Sequence, residues 1–334
     1  MMDQNISTKP FVYFPRINEL FSLFDLLRDQ NIRHDAVSCA LITGESGSGK
    51  SEIASRYVLK NPVVEEEERT FKPVVWYELK SVSNRKDFII KLLIAIGDPQ
   101  LGRGAKNEGE LYDRLILQCR VIGLELLILD EIQVIIERRS QSVISVLADL
   151  FKDLIKDLGI PIVFMGMPWS RHLIDSNKQL RGRISYRHVI PSFRVSMPEY
   201  LNEFRKLLKK LSDHYQLSED VGIYKQDMAL KIFSFSSGNL RDTVILVRDA
   251  YTQSCRDGKA VSSATFKKVL RGYGVPDEQN QFIQQLERLQ FRELVCHSDW
   301  NFGARTKENS IVDGKYVTFG VSTDRKIYSF HGAA

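Results

Sequence analysis

The sequence has few cysteines and no long hydrophobic run. Its four cysteines stand at positions 39, 119, 255 and 296, and no two of them form a C-x-x-C pair. Cysteines this far apart disfavour both a disulfide framework and a metal cluster, so we expect buried, reduced thiols. No apolar run approaches a membrane span, and the N-terminus lacks the basic-then-apolar pattern of a signal peptide. These absences predict a cytoplasmic protein with no membrane partner.

The sequence also lacks repeats, low-complexity segments and a strong charge imbalance. Its 334 residues carry 47 basic and 42 acidic side chains, for a net charge of +5. A balance this mild is weak evidence for a nucleic-acid partner, so the placement of the basic residues matters more than their number. The length allows about two domains with a buried core.

One stretch fits the phosphate-loop pattern G-x-x-x-x-G-K-[ST]. It consists of Gly44, Glu45, Ser46, Gly47, Ser48, Gly49, Lys50 and Ser51. An apolar run at 37–43 precedes it and helix formers at 52–59 follow it, which supplies the order strand, loop, helix. In such a loop, backbone N–H groups face phosphate oxygens, Lys50 reaches the β- and γ-phosphates, and Ser51 offers its hydroxyl to Mg²⁺. The alternative is a flexible Gly/Ser loop that matches by chance.

A second signature favours the nucleotide interpretation. The apolar strand at 124–129 ends in Asp130 and Glu131. Hydrolysis of a nucleotide needs a metal and a base that positions water, so we expect Asp130 to hold Mg²⁺ and Glu131 to polarise the attacking water. The alternative for this pair is a helix N-cap with a solvated neighbour.

The order of elements predicts a doubly wound α/β fold with five parallel strands and helices on both faces. We expect an N-terminal arm and helix at 1–35, whose aromatic residues either pack on the core or dock a partner. The nucleotide-binding domain follows at 36–193, and four helices form a small lid at 194–273. The segment 274–334 is expected to contain a helix over 278–295 and strands over 316–321 and 326–330. It could pair these strands within a core of its own or present a docking element to a partner, and we favour docking.

Several arginines could stabilise the charge that develops during hydrolysis. Arg181, Arg183 and Arg187 cluster between the fourth and fifth predicted strands. Arg241 begins a helix of the lid and could contact the γ-phosphate if the lid folds over the nucleotide. The alternative for the cluster is that one or two of its three arginines are ordinary surface residues, and on local sequence alone a solvent-facing helix arginine explains Arg241 equally well.

Together these features resemble an AAA+ ATPase. The sequence Asp130-Glu131-Ile132-Gln133, the Phe-Pro-Arg element at 14–16 and the run 162–168 (IVFMGMP) further resemble the TnsC/TniB transposition regulators of Tn7-like transposons. The resemblance covers residues 11–272. It implies ATP and Mg²⁺ as ligands, Glu131 as the catalytic glutamate, Arg183 as the trans-acting arginine finger with Arg181 as second choice, and Arg241 as the sensor arginine of the lid.

The sequence departs from that family at one position. Relatives usually place a threonine after the glycine of the fourth strand, as a sensor of the γ-phosphate, whereas this chain has Met167. A thioether cannot donate a hydrogen bond, so we expect slow, regulatory hydrolysis.

The family resemblance also implies partners. Its members assemble as ATP-dependent rings or filaments on double-stranded DNA and bridge a target-selection protein and the transposase. Arg85, Lys86, Arg103 and Lys106 lie in the segments that match the DNA-facing loops, so we expect contacts to phosphates without sequence preference. Without the resemblance, the same residues are typical of a solvated surface.

Two other functions remain open at this stage. A helicase loader or replication initiator would share the ATPase core but have a different partner. A motor that remodels protein or DNA would need brisk turnover and usually an aromatic pore loop, which the basic candidate loops do not resemble.

Overall fold

The computed structural model describes residues 15–32, 37–67, 69–137, 140–306 and 308–321. Within these ranges the helices are α1 (Pro15–Ile32), α2 (Lys50–Lys60), α3 (Arg85–Ile96), α4 (Glu108–Val121), α5 (Gln133–Glu137), α6 (Gln141–Leu158), α7 (Arg171–Asp175), α8 (Lys178–Arg183), α9 (Pro198–His214), α10 (Gln226–Ser236), α11 (Leu240–Asp257) and α12 (Ser263–Gly272). The strands are β1 (Cys39–Gly44), β2 (Val64–Glu65), β3 (Thr70–Phe71), β4 (Val74–Glu78), β5 (Leu126–Asp130), β6 (Ile162–Gly166), β7 (Ile184–Ile190), β8 (Gln290–Cys296), β9 (Asp299–Trp300), β10 (Ile311–Val312) and β11 (Lys315–Gly320).

Five parallel strands form the central sheet, in the order β4-β5-β6-β1-β7. β1, β5 and β6 are buried along their whole length, as expected for strands that are covered on both faces. The register pairs Thr43 with Gly166 and Leu129 with Phe164. The carboxyl ends of β1, β5 and β6 therefore meet at one edge of the sheet, and the predicted α/β fold is confirmed.

Helices cover both faces of this sheet. On one face α3, α4 and α6 pack with a chain of rings in which the Phe88–Phe151 and Phe151–Phe164 centroids are 5.2 and 5.3 Å apart. On the other face lie α1 and α2, where Tyr57 packs edge-on against Phe24 at 4.9 Å. The layered arrangement fixes α2, and with it the loop that precedes it.

Polar contacts also join α1 to its neighbours. The Arg28 guanidinium donates to Glu125 and, at 2.6 Å, to the Asn61 side chain, while the Tyr57 hydroxyl donates to Asp25 at 2.6 Å. The aromatic residues of this helix that the structure describes, Phe21 and Phe24, are buried. For these two rings the core-packing alternative is confirmed. The aromatic residues at 11–14 lie outside the described residues.

The chain forms two compact units. One comprises 15–190 and 297–313, with the parallel sheet, and the other comprises 191–296 and 314–321 among the described residues. The lid expected at 194–273 falls in the second unit, together with β8 and β11, which pair antiparallel. A ladder of rings fills this unit: Phe204 packs against Phe233, Phe233 against Phe291, and Phe291 against Phe319, with centroids 5.5, 6.2 and 5.8 Å apart.

The helix predicted over 278–295 is wrong. This stretch forms two short 3-10 turns, at Asp277–Gln279 and Leu286–Arg288, and then strand β8. Leu289, Phe291 and Glu293 are buried at a period of two, since they face the core next to β11. Pairing with a distant strand overrides the helical propensity of this glutamine- and leucine-rich segment. The strand predicted over 316–321 corresponds to β11, and the one over 326–330 lies outside the described residues.

The cysteine expectation holds for two of the four residues. Cys39 and Cys119 are buried, and burial raises the pKa of each thiol to about 12. Cys255 and Cys296 are exposed, so their burial was predicted wrongly. Cys39, Cys119 and Cys255 are free thiols. Across the described residues, no helix combines the length and apolarity needed to cross a bilayer.

Candidate active site

The glycine-rich loop lies at the carboxyl end of β1 and leads directly into α2. Gly47 and Gly49 have φ angles of 78° and 93°, in the left-handed region that residues with a Cβ rarely adopt. The Ser48 N–H donates to the Glu45 carbonyl at 3.2 Å, which closes the turn. Helix α2 begins at Lys50 with no side-chain cap, so its first N–H groups are available to phosphate oxygens.

Lys50 is held by the loop that it belongs to. Its side chain is only 5% exposed, and Nζ donates to the carbonyls of Gly44 and Glu45 at 2.7 and 3.1 Å. A buried ammonium group needs such partners, because burial without them is costly. The ammonium is therefore fixed over the loop, where the motif predicts the β- and γ-phosphates.

A C-terminal segment braces the same loop. The Glu45 carboxylate accepts from the N–H and the hydroxyl of Ser298, at 2.8 and 2.7 Å, and lies 3.2 Å from Nδ1 of His297. Burial alone would raise the pKa of Glu45, but the hydrogen bonds from His297 and Ser298 outweigh it and lower that pKa. We call Glu45, His297 and Ser298 the loop brace.

Further contacts anchor this segment beside β6. Trp300 packs against Trp169, with ring centroids 6.1 Å apart, and Asp299 pairs with Arg171 and, at 2.8 Å, with His172. Trp169 belongs to the turn Pro168–Ser170 that follows β6. The brace is therefore tied to the same edge of the sheet as the loop.

Asp130 has the features of a residue that holds Mg²⁺ through water. It is fully buried at the end of β5, and its Oδ1 accepts the Glu131 N–H at 2.8 Å. Its Oδ2 is buried and has no hydrogen-bond partner among the described residues. A buried oxygen of this kind fits a metal-bound water, since Mg²⁺ usually keeps several waters and takes one or two protein oxygens. Ser51, on the first turn of α2, is the expected second ligand.

Glu131 adopts an unusual backbone conformation directly after β5. Its φ of 59° lies in the left-handed region, which costs a residue with a Cβ on the order of 1 kcal/mol or more. Its carboxylate accepts from Nε2 of Gln133 at 2.5 Å, and the other end of that amide accepts the Met167 N–H at 3.1 Å. The acidic pair and the sensor position are thus connected through one buried glutamine.

The three candidate arginines of α8 and β7 fall into two groups. Arg187 pairs with Asp175 at 2.8 Å, whereas Arg181 and Arg183 form no ion pair or hydrogen bond with the described residues. Both end α8, just before Ile184, which pairs with Cys39 at the start of β1. The length of β1 therefore separates them from the phosphate loop of their own chain, about 17 Å at 3.3 Å per residue.

Arg241 lies on the first turn of α11, in the second compact unit, with an exposed side chain. Asn239 caps that helix by accepting the Asp242 N–H. Its contact with a γ-phosphate stays a prediction.

The four residues predicted to contact DNA differ in their surroundings. Lys86, Arg103 and Lys106 are exposed. Arg85 is half-buried over the ring of Tyr112 and forms ion pairs with Glu108 at 3.1 Å and Asp153 at 3.6 Å. Arg85 would have to leave two carboxylates to reach a phosphate.

The loop that carries Arg103 has a fixed shape. The buried Asp98 carboxylate accepts the Gly102 N–H at 2.7 Å and pairs with Arg114 at 3.3 Å. Arg114 also donates to the Arg103 carbonyl at 2.7 Å. Gly102 and Gly104 have positive φ, as the tight path of the loop requires.

Sequence reasoning named Gln133 only as part of a family motif and missed its role, and it also missed the loop brace and the Asp98–Arg114 pair. A signal for the first was its position, two residues after Glu131. A signal for the loop brace was the charge of Glu45 within an otherwise small, neutral loop, since a carboxylate beside bound phosphates needs hydrogen-bond donors. Its partners lie about 250 residues further along the chain, where nothing local marks them.

Comparison with known families assigns the chain. The family model described as "Bacterial TniB protein" matches residues 3–194, more than half of the sequence. The chain belongs to this family. The resemblance to TnsC/TniB proteins is thereby confirmed. No curated protein matches the chain.

Solved structures similar to this TniB family member share its fold. The ORC2 protein of Aeropyrum pernix, in ADPNP–ADP complexes, has 14% identity and a TM-score of 0.59, over 81% of this chain and 72% of its own. The Cdc6p protein of Pyrobaculum aerophilum has 16% identity and a TM-score of 0.58, over 83% and 73%. The Aeropyrum pernix ORC1 protein in complex with DNA has 17% identity and a TM-score of 0.54, over 81% and 68%. The fold is that of the AAA+ ATPases, as predicted.

Proposed function

We propose that the chain is an ATP-dependent, DNA-binding regulator of transposition that bridges a target-selection protein and a transposase. The observation that carries the proposal is the meeting of the phosphate loop and Asp130-Glu131 at one edge of the sheet, in a chain of the TniB family. ATP binds at Lys50 and Ser51, with Mg²⁺ held through Ser51 and Asp130. The metal, when bound, neutralises charge on the β- and γ-phosphate oxygens.

Hydrolysis proceeds by attack of a water that Glu131 orients and deprotonates. Arg183, with Arg181 as second choice, completes the site of a neighbouring protomer, and the distance of both arginines from their own phosphate loop supports this role. ATP therefore joins protomers into a ring or filament, and hydrolysis releases them. Turnover is slow because Met167 offers no side-chain donor to the γ-phosphate.

Double-stranded DNA is the proposed ligand of the assembly. Lys86, Arg103 and Lys106 are exposed, and the fixed loop at 98–106 limits the entropy lost on binding. One of the structures similar in fold is that of a DNA complex. A replication role would rest on likeness to the ORC and Cdc6p proteins, which at these identities shows the fold alone, so we favour transposition on the family match.

Two substitutions test this proposal. Lys50→Ala removes the phosphate contact and should prevent assembly on DNA, whereas Glu131→Gln keeps ATP binding and should lock assemblies on DNA. Electron microscopy and sedimentation with duplex DNA and ATP measure both, and a non-hydrolysable ATP analogue should reproduce the Glu131→Gln result in the wild type. If the Lys50→Ala protein assembled on DNA equally well with and without ATP, this result would contradict the mechanism.

A further inference from the structure

We propose that Gln133 positions the catalytic glutamate: its amide links the Glu131 carboxylate to the backbone of Met167, the position at which this chain lacks a polar sensor side chain. The inference rests on the proposed hydrolysis through Glu131 and adds a residue to it. A polar side chain at position 167 would be expected to face the phosphate. In this chain, the backbone N–H of Met167 is instead connected through Gln133 to Glu131, the proposed general base.

Gln133 is enclosed at the start of α5. Its side chain is only 4% exposed, with Nε2 donating to Glu131 Oε2 at 2.5 Å and Oε1 accepting from the Met167 N–H at 3.1 Å. A buried amide that is satisfied at both ends stays in one rotamer, because any rotation leaves a buried polar group without a partner.

The chemistry of the two partners fixes the direction of the amide. A backbone N–H can only donate, so the group that faces Met167 must be the amide oxygen. The NH₂ group then faces Glu131, whose ionised carboxylate can only accept. Glutamine is therefore suited to this position by polarity as well as length: a glutamate could accept from Met167 but would repel Glu131, and a methionine could do neither.

The end of β6 leaves room for this amide because residue 166 is a glycine. A Cβ at Gly166 would lie 2.6 Å from Gln133 Oε1 and would also collide with the hydroxyl of Ser170. The Ile132 N–H donates to the Met165 carbonyl at 3.1 Å, so the ends of β5 and β6 are joined on either side of Gln133.

The consequence for catalysis concerns the second carboxylate oxygen of Glu131. Gln133 holds Oε2, whereas Oε1 has no hydrogen-bond partner among the described residues. The contact at Oε2 therefore fixes the direction in which Oε1 points. A general base must lie within hydrogen-bond reach of the water that it deprotonates, and a misplacement of about 1 Å can cost on the order of a hundredfold in rate. Gln133 supplies this restraint without touching the nucleotide.

Three variants test the role. Gln133→Met has a similar length and loses both hydrogen bonds, Gln133→Glu keeps only the acceptor, and Gly166→Ala crowds Oε1. Each should lower kcat for ATP by about tenfold or more, since each disturbs the placement of Glu131, while KM and the Kd for ATP stay close to wild type. Adding Gln133→Met to Glu131→Gln should cause no further loss, because both substitutions act on one group.

Gln253→Met is the matched control. Gln253 donates to the Asp257 carboxylate at 2.9 Å on α11, which belongs to the other compact unit, so the loss of this hydrogen bond should leave kcat unchanged. An unchanged or higher kcat in Gln133→Met would overturn the proposal, and so would parallel losses of Tm and ATP affinity, which indicate a structural role. Failure of the proposed function is separate: there the wild type would bind ATP but hydrolyse it no faster than Glu131→Gln.

Discussion

At the scale of single residues, the arginines near β7 differ in availability although they are close in sequence. Arg187 forms an ion pair with Asp175, while Arg181 and Arg183, near the start of β7, form none with any residue that the structure describes. A free guanidinium there cannot serve the phosphate loop of its own chain, which lies past the far end of β1. It can serve another protomer if the two stack head to tail.

This geometry predicts complementation between two inactive proteins. Arg183→Ala should bind ATP normally but lose hydrolysis, since arginine fingers contribute roughly a thousandfold or more to kcat. Lys50→Ala cannot hold ATP but still offers Arg183. Mixing the two should restore part of the hydrolysis, measured as phosphate release.

Arg187→Ala is the control for the arginine series. It removes a surface ion pair worth about 1 kcal/mol at most, and it should leave hydrolysis near the wild-type rate. A mixture of Arg183→Ala and Lys50→Ala that stays inactive while both proteins still assemble together would argue against action in trans.

At the scale of elements, the loop brace links the phosphate loop to a segment that follows the lid. Glu45 both receives hydrogen bonds from Ser298 and offers its carbonyl to Lys50. We expect Ser298→Ala to weaken ATP binding by up to about tenfold, because a hydrogen bond to a charged group contributes roughly 1.5–3 kcal/mol and only part of it concerns the loop's shape. Calorimetric titration with an ATP analogue measures this effect.

Ser254→Ala is a suitable comparison for the brace. Ser254 is also buried, but its hydroxyl donates to the neutral carbonyl of Tyr251 at 2.7 Å, in the other compact unit. Its loss should leave ATP affinity unchanged. Equal effects of the two substitutions on ATP affinity would show that the brace does not act on the phosphate loop.

The brace also predicts a pH dependence of stability. The folded-state pKa of Glu45 lies below its ordinary value of 4.5, because the donors of His297 and Ser298 outweigh burial. The stabilisation of the folded state by the ionised Glu45 carboxylate is therefore complete above pH 4.5 and is lost as the pH falls through the folded-state pKa. Denaturant unfolding should show the full loss of unfolding free energy in Glu45→Gln at pH 7 and a smaller loss below pH 4.5. A loss that stays constant with pH would argue against this role of Glu45.

Elements with strong local patterns could be predicted from the sequence, and those defined by distant contacts could not. β1, β5 and β6 are apolar throughout, so composition alone identified them. β8 was mistaken for a helix because its partner, β11, lies about 20 residues away and pairing decides its conformation. In the site, the eight-residue loop and Asp130-Glu131 carry local motifs, while Gln133 acquires its role only from the position of Met167.

At the scale of the whole molecule, the proposed binding to DNA should depend on a few exposed cations and on the salt concentration. Arg103→Ala and Lys106→Ala should each weaken binding to all duplex sequences alike and reduce the slope of log affinity against log salt by about one. Arg85→Ala should change that slope little, because Glu108 and Asp153 already neutralise Arg85. Fluorescence anisotropy across a salt series measures the slopes, and a full unit lost in Arg85→Ala would show that Arg85 leaves its ion pairs to bind DNA.

The sheet-containing unit is assembled from two separate stretches of chain, and this has a consequence during synthesis. Residues 15–190 leave the ribosome first, but Ser298 and its neighbours follow only after roughly a hundred more residues of the other unit. At about 5–20 residues per second, this interval lasts on the order of 5 to 20 s. For that time a nascent chain carries a phosphate loop whose Glu45 has not yet met its partner, so we expect the capacity to hold ATP firmly to develop only after Ser298 has left the ribosome.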